Sequence, residues 1–213
     1  MQFFAPIKQS TLGIAVFAVA TAALIAITQN TTEARIKDNE RRQEAKALYQ
    51  IIDREKIDND LVEDSFELAA GTLGNRLASK GYRALNKGQV SAVILPVVAP
   101  DGYTGDISMI VGINADNSLA GVRVLAHKET PGLGDKIDLS KSDWILNFQG
   151  QSKAPGKDPA WAVKKDGGQF DQFTGATITP RAVVSATGRA LEYFRKHRAE
   201  LLLTDHKETK NGG

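Results

Sequence analysis

"QVSAVILPVVAPDGYTGDISMIVGINADNSLAGVRVLAHKE", residues 89–129, contains three β-branched apolar runs separated by two turn-forming clusters. The clusters are Pro100-Asp101-Gly102 and Asn114-Ala115-Asp116-Asn117. Proline presets φ, glycine tolerates positive φ, and Asn or Asp side chains bond their own backbone, so both clusters bend the chain. Strand-length runs at such close spacing leave no room for crossover helices and predict an antiparallel meander.

Downstream, a short helix is expected around Trp144, then a polar loop to Pro159 and the mixed stretch "WAVKKDGGQFDQF". From Pro180 to Leu203, the residues Val184, Thr187, Leu191 and Phe194 recur at helical spacing, with Arg181, Arg189 and Arg195 largely off that face. This pattern predicts an amphipathic helix closing on the sheet. Upstream, residues 56–88 are punctuated by Gly71, Gly74, Gly81 and Gly88 and read as loops or short strands. The stretch "TEARIKDNERRQEAKALYQIIDREK" is rich in helix formers, with apolar Leu48, Ile51 and Ile52 gathered at its far end. It predicts a helix with a solvated start and a docked end.

No charged residue lies between Gln9 and Thr32, and "TLGIAVFAVATAALIAITQ" is apolar over nearly its whole length. That is close to the roughly 20 residues a membrane-spanning helix needs, so the primary expectation is an uncleaved N-terminal transmembrane anchor. A cleaved signal peptide and a buried globular helix are the alternatives. Lys8 before the segment and Arg35, Lys37, Arg41 and Arg42 after it give no simple positive-inside signal, so orientation rests on the segment's signal-like character. The expected fold class is α+β: a single N-terminal transmembrane helix, then a domain with an antiparallel sheet flanked by helices. The expected organisation is a short segment at 1–8, an anchor at 9–32, a connecting helix at 33–55, one domain at 56–204, and a disordered polar tail at 205–213.

Composition excludes several function classes. The net charge is +2, and the 24% of residues that are charged are mixed in sign, which gives no basic stripe for nucleic acid. The chain has no cysteine, so disulfides, thiolate-bound iron–sulfur clusters and Cys-based zinc sites are ruled out. His127, His197 and His206 show no ligand spacing, and no metal site is expected. There is no nucleophile elbow for a serine hydrolase.

Three stretches carry candidate chemistry. In "FDQFTGATITPRAVVSA", residues 170–186, Thr174, Thr177 and Thr179 surround the small pair Gly175-Ala176 just before the C-terminal helix. Two readings are open on the residues alone. Either Thr179 caps the helix and the other threonines shape a turn, or the helix N-terminus is an anion site. In "HKETPGLGDKI", residues 127–137, Pro131, Gly132 and Gly134 set an irregular loop against which a flat ligand can lie. There Glu129 offers an acceptor and Thr130 a donor, and the alternative is an ordinary turn. In "VKKDGG", residues 163–168, Lys164 and Lys165 either neutralise a phosphate or form a solvated charged turn.

Taken together, the apolar N-terminus, "APDGYTGDISMIVGI", "HKETPGLGDKI" and "WAVKKDGGQFDQFTGATITPRAVV" resemble one family over essentially the whole chain. It is the G subunit of the Rnf (or Rsx) ion-translocating electron-transport complex, related more distantly to the C subunit of the sodium-translocating NADH:quinone oxidoreductase. The pattern from Asp171 to Thr177, Asp-x-x-Thr-Gly-Ala-Thr, resembles the recognition site of a flavin transferase. The resemblance implies an FMN-binding domain with FMN covalently linked through its phosphate to Thr177, attached by that transferase from FAD with release of AMP. It further implies Thr174 and Thr179 as phosphate donors or a cap, and Gly175 and Ala176 as the close-approach pair. The loop containing Glu129, Thr130, Leu133 and Gly134 would lie near the isoalloxazine ring, and Lys164 or Lys165 near the phosphate or ring edge. Implied too are electron transfer between reduced ferredoxin and NAD, enzymatic activity only within the complex, and other complex subunits as partners. The implied location is the bacterial inner membrane, with a single pass and the main domain on the periplasmic side. The rival functions are a non-covalent binder of a phosphorylated ligand and a structural assembly subunit.

Overall fold

The computed structural model describes residues 4–203. The chain divides into two compact units, Met1–Gln43 and Glu44–Gly213. The first long element is helix α1, Phe4–Ile51. Thr21, Thr28 and Thr31 within it donate their hydroxyls back to the carbonyls of Phe17, Leu24 and Ile27 at 2.8–2.9 Å, so each satisfies its polar group inside the helix.

The expected transmembrane anchor at 9–32 is not borne out: among the described residues no helix is long and apolar enough to cross a membrane. The tail at 205–213 lies outside the described residues.

The second unit is built on a five-stranded antiparallel sheet whose spatial order follows the chain. Its strands are β1 Ser65–Leu68, β2 Ser79–Asn86, β3 Gln89–Ala99, β4 Ile107–Asn114 and β5 Leu119–Ala126. The last three are the β-branched runs of residues 89–129. β3 is apolar on both faces because both are covered. Val93, Leu95 and Val97, opposite Ile113, Val111 and Met109 of β4, point into the main core. The alternate residues Ala92 and Ile94 point the other way, into a second core with Leu48 and Ile51 from the end of α1 and Ile52 just after it.

The main core is closed by helix α2, Ile178–Leu201, which buries Val184, Thr187, Leu191 and Phe194. A 3₁₀ turn over Asp143–Phe148 adds Trp144, Ile145 and Phe148, and an aromatic cluster links it to the segment before α2. Phe148 stacks on Phe170 with ring centroids 4.5 Å apart. Trp144 meets Phe173 edge-on at 5.1 Å and donates its indole N–H to the Asp171 carbonyl at 2.8 Å. Trp161 donates to the Val184 carbonyl at 2.9 Å, an approach that the missing Cβ of Gly188 permits. The chain entering α2 is therefore held by rings on one side and by the helix itself on the other.

Two buried arginines satisfy carbonyls in the last turns of the helices. Arg123 donates to the Gln50 carbonyl of α1 at 3.0 Å, and Arg83 to the Leu201 carbonyl of α2 at 3.1 Å. Burial pulls the Arg123 guanidinium below its ordinary value.

Candidate functional site

Three loops meet at one end of the sheet around a cavity of about 380 Å³. The β3–β4 loop contributes Tyr103. The loop after β5 contributes Glu129, Thr130, Leu133 and Gly134, and the turn into α2 contributes Gly175, Ala176, Thr177, Ile178 and Thr179. The volume lies within the usual range for small-molecule sites. The lining combines exposed apolar groups, Tyr103, Leu133 and Ile178, with three threonines and a carboxylate.

The turn is set by Gly175 at φ +82°, a value that suits glycine, and by the Ala176 N–H donating to the Phe173 carbonyl at 3.1 Å. The three hydroxyls of this stretch then separate by environment. Thr174 is exposed and outside the cavity lining. Thr177 is half-buried, lines the cavity and occupies the position before the first helical residue, yet its side chain makes no capping hydrogen bond. Thr179 is fully buried, and its hydroxyl donates to Glu129.

The expectation that Thr179 caps α2 is therefore corrected. The helix begins at Ile178, so Thr179 lies inside the first turn and its hydroxyl is drawn across to the Glu129 carboxylate. Pro180 falls within that first turn, where its missing N–H has no carbonyl to serve.

Glu129 ties all three loops together. One carboxylate oxygen accepts both the backbone N–H and the hydroxyl of Thr104 at 3.0 Å each, and the other accepts from Thr179. Its own N–H donates to His127 Nδ1 at 3.1 Å. The N–H groups of Leu133 and Gly134 both donate to the Thr130 carbonyl at 3.1 Å and curl the loop over this carboxylate. A Cβ on Gly134 would lie 2.8 Å from Glu129 Oε2 and 2.9 Å from Thr179 Oγ1, so only glycine fits between them.

Eight of the twelve residues singled out from the sequence share this cavity, and four do not. Lys164 pairs with Asp171 at 2.6 Å, with both side chains more than half exposed. The Lys165 N–H donates to Gln172 at 3.2 Å, and Thr174 faces solvent. Tyr103 and Ile178 line the cavity without having been singled out. "GYTG" at 102–105 carried a signal, because a Cβ on Gly102 would lie 3.0 Å from Glu129 Oε1.

The donor set fits a flavin mononucleotide. The rim offers flat apolar surface for a ring, glycine-lined backbone allows close approach, and a threonine hydroxyl with no capping role stands beside the N-terminus of a long helix. A second cleft, of about 450 Å³, lies along α2 beside Trp161 and Arg181. Its charges are largely paired: Arg181 holds Asp166 through two bonds of 2.6 Å, and Lys153 meets Glu192 at 2.5 Å. These contacts keep the Asp166 and Glu192 carboxyls below their ordinary values.

Comparison with known proteins accords with this geometry. Residues 102–192, which include all three cavity loops, match the FMN-binding domain family, and residues 1–51 match the RnfG N-terminal region. A protein of Vibrio vulnificus (strain YJ016), named as the G subunit of an ion-translocating oxidoreductase complex, is 45% identical over 196 residues, covering 92% of this chain and 93% of the relative. A protein of Pseudomonas aeruginosa (strain UCBPP-PA14) with the same name is 47% identical over 195 residues, covering 91% of each. With that similarity over nearly its full length, the chain belongs to the family of the G subunits of ion-translocating oxidoreductase complexes and contains an FMN-binding domain.

Proposed function

We propose that this chain carries FMN esterified through its phosphate to Thr177 and passes electrons between reduced ferredoxin and the NAD couple. It would do so as one subunit of an ion-translocating membrane complex, and turnover belongs to the assembled complex. The observation that carries the reading is the contrast among three neighbouring threonines. Thr174 is outside the cavity, Thr179 is buried and bonded, and Thr177 alone lines the cavity with a hydroxyl not used as a cap.

Bound FMN supplies the reversible uptake and release of electrons, and the chain supplies position and field. Thr177 fixes the phosphate end. The unpaired N–H groups and positive end of α2 offset the negative charge left on a phosphodiester there. Leu133, Ile178 and Tyr103 present apolar surface to a ring, Leu133 being carried by the 129–134 loop.

Attachment is redox-neutral. Thr177 Oγ1 forms a bond to the flavin-side phosphorus of FAD, the bond from that phosphorus to the bridging oxygen breaks, AMP leaves, and the hydroxyl proton passes to solvent. A separate flavin transferase performs the step. We take 56–204 as the working domain and 33–55 as the helix leading into it. We place the domain on the periplasmic side of the bacterial inner membrane, where a tether prevents loss of flavin by diffusion.

The test is in-gel flavin fluorescence of denatured protein after co-expression with a flavin transferase. Wild-type chain and Thr179→Ala are expected to fluoresce, and Thr177→Ala to be dark. Fluorescence persisting in Thr177→Ala would refute the assignment, and a dark wild-type band would leave only non-covalent binding or a structural role.

A further inference from the structure

Glu129 is 4% exposed, yet it stands in the wall of the cavity. Its hydrogen-bond partners are Thr104 and Thr179, both neutral, and it takes part in none of the ion pairs found among the described residues. A carboxylate held by neutral dipoles keeps its net charge, and a charge away from water is weakly screened. Little protein separates it from the cavity at Gly134, where there is no side chain and no space for one.

We propose that Glu129 sets the reduction potential of the bound flavin, holding it low through this uncancelled buried charge. The inference rests on the reading that FMN occupies the cavity. Adding electrons to a ligand beside a fixed negative charge is opposed by Coulomb repulsion, so the oxidised form is favoured. The Thr104 and Thr179 donors act in the opposite sense, because the positive ends of their dipoles point at the carboxylate and offset part of its field. Glu129 thus has two roles on one set of atoms: it ties the three loops together and biases the electron affinity of what they hold.

The two roles separate in variants. Glu129→Gln removes the charge and keeps the bonding pattern, since its carbonyl oxygen can still accept from Thr104 and its amide can donate to a Thr179 hydroxyl that has turned round. Thr179→Val keeps the charge and removes one compensating dipole. A purely structural role shifts both variants in the same direction, whereas a field effect shifts them in opposite directions.

Full-length wild type, Glu129→Gln and Thr179→Val are produced with a flavin transferase, checked for flavin by intact mass and absorbance, and titrated anaerobically against redox dyes. Glu129→Gln is expected to have a more positive midpoint potential than wild type, and Thr179→Val a more negative one. A flavin-bearing Glu129→Gln at or below the wild-type potential overturns the proposal. If Glu129→Gln holds no flavin, Thr179→Val decides: a more negative potential supports the proposal, and an unchanged or more positive one overturns it. A wild-type protein with neither covalent nor bound flavin refutes the underlying site reading instead, and mass and absorbance reveal that outcome before any titration.

Discussion

Thr177 and Thr179 are two residues apart, have the same side chain and border the same cavity, yet Thr177 is half-buried with no capping bond and Thr179 is fully buried and bonded to Glu129. The difference follows from helical geometry. A residue at the start of α2 faces the incoming turn, while one two places later has rotated towards the sheet, where Glu129 waits. Gly134 enforces this arrangement from the other side. Gly134→Ala is expected to lower stability by about 1–3 kcal/mol, because its Cβ would push apart Glu129 and Thr179. Thermal unfolding measures the loss, and a melting temperature equal to wild type would contradict the packing described. Gly175, Thr177 and the 129–134 loop stood out in the sequence because glycine and hydroxyl clusters there served no evident core, and they line one cavity. The burial of Thr179 was not legible, since its partner is 50 residues away. Lys164 and Lys165 lie outside the cavity lining, and Lys164 pairs with Asp171 of the motif across the surface.

Strands β3, β4 and β5 were legible because β-branched runs bounded by turn residues have few other ways to fold. Strand β2 was legible only as part of a stretch of loops or short strands, since "SKGYRALN" carries a glycine and two cations. In the fold Gly81 is the place where the Phe66 ring lies across the neighbouring strand, and Arg83 stacks its guanidinium 4.6 Å from the same ring. A residue that reads as a break is thus filled by an aromatic ring from the next strand. Gly112 of β4 has a similar role on the opposite face, paired with Gly121 of β5 beneath Ile51 of α1. Gly112→Ala would drive a methyl into Ile51 and is expected to cost about 1–3 kcal/mol. The loss would appear as a lower denaturation midpoint with unchanged slope, and a neutral result would mean that Ile51 does not seat there.

At the scale of the molecule, the sheet carries a core on each face, and the candidate site is assembled where three loops separated in sequence converge. Composition gave no hint of that convergence. It gave a better account of what is absent: a chain without cysteine needs some other way to hold a redox group, and a hydroxyl on a rigid turn is one. The apolar N-terminal stretch invited a transmembrane reading because it lacks charge, yet among the described residues no helix is long and apolar enough to cross a membrane. Stability at high pH should follow Tyr82, whose phenol is raised above its ordinary value by burial and by the Glu44 carboxylate it donates to at 2.9 Å. Because the folded value lies above the unfolded one of about 10, its contribution is complete below pH 10 and lost as pH rises beyond it. Melting temperatures from pH 8 to 11.5 are expected to fall more steeply above pH 10 in wild type than in Tyr82→Phe. Parallel curves would show that Tyr82 is not the titrating group.

The central claim is a bond on one named oxygen, and intact mass spectrometry of the full-length chain, co-produced with a flavin transferase and denatured, tests it most directly. The account predicts a wild-type mass increased by one FMN less one water, and an unmodified mass for Thr177→Ala. An unmodified wild-type chain, or the same increase in Thr177→Ala, would contradict it.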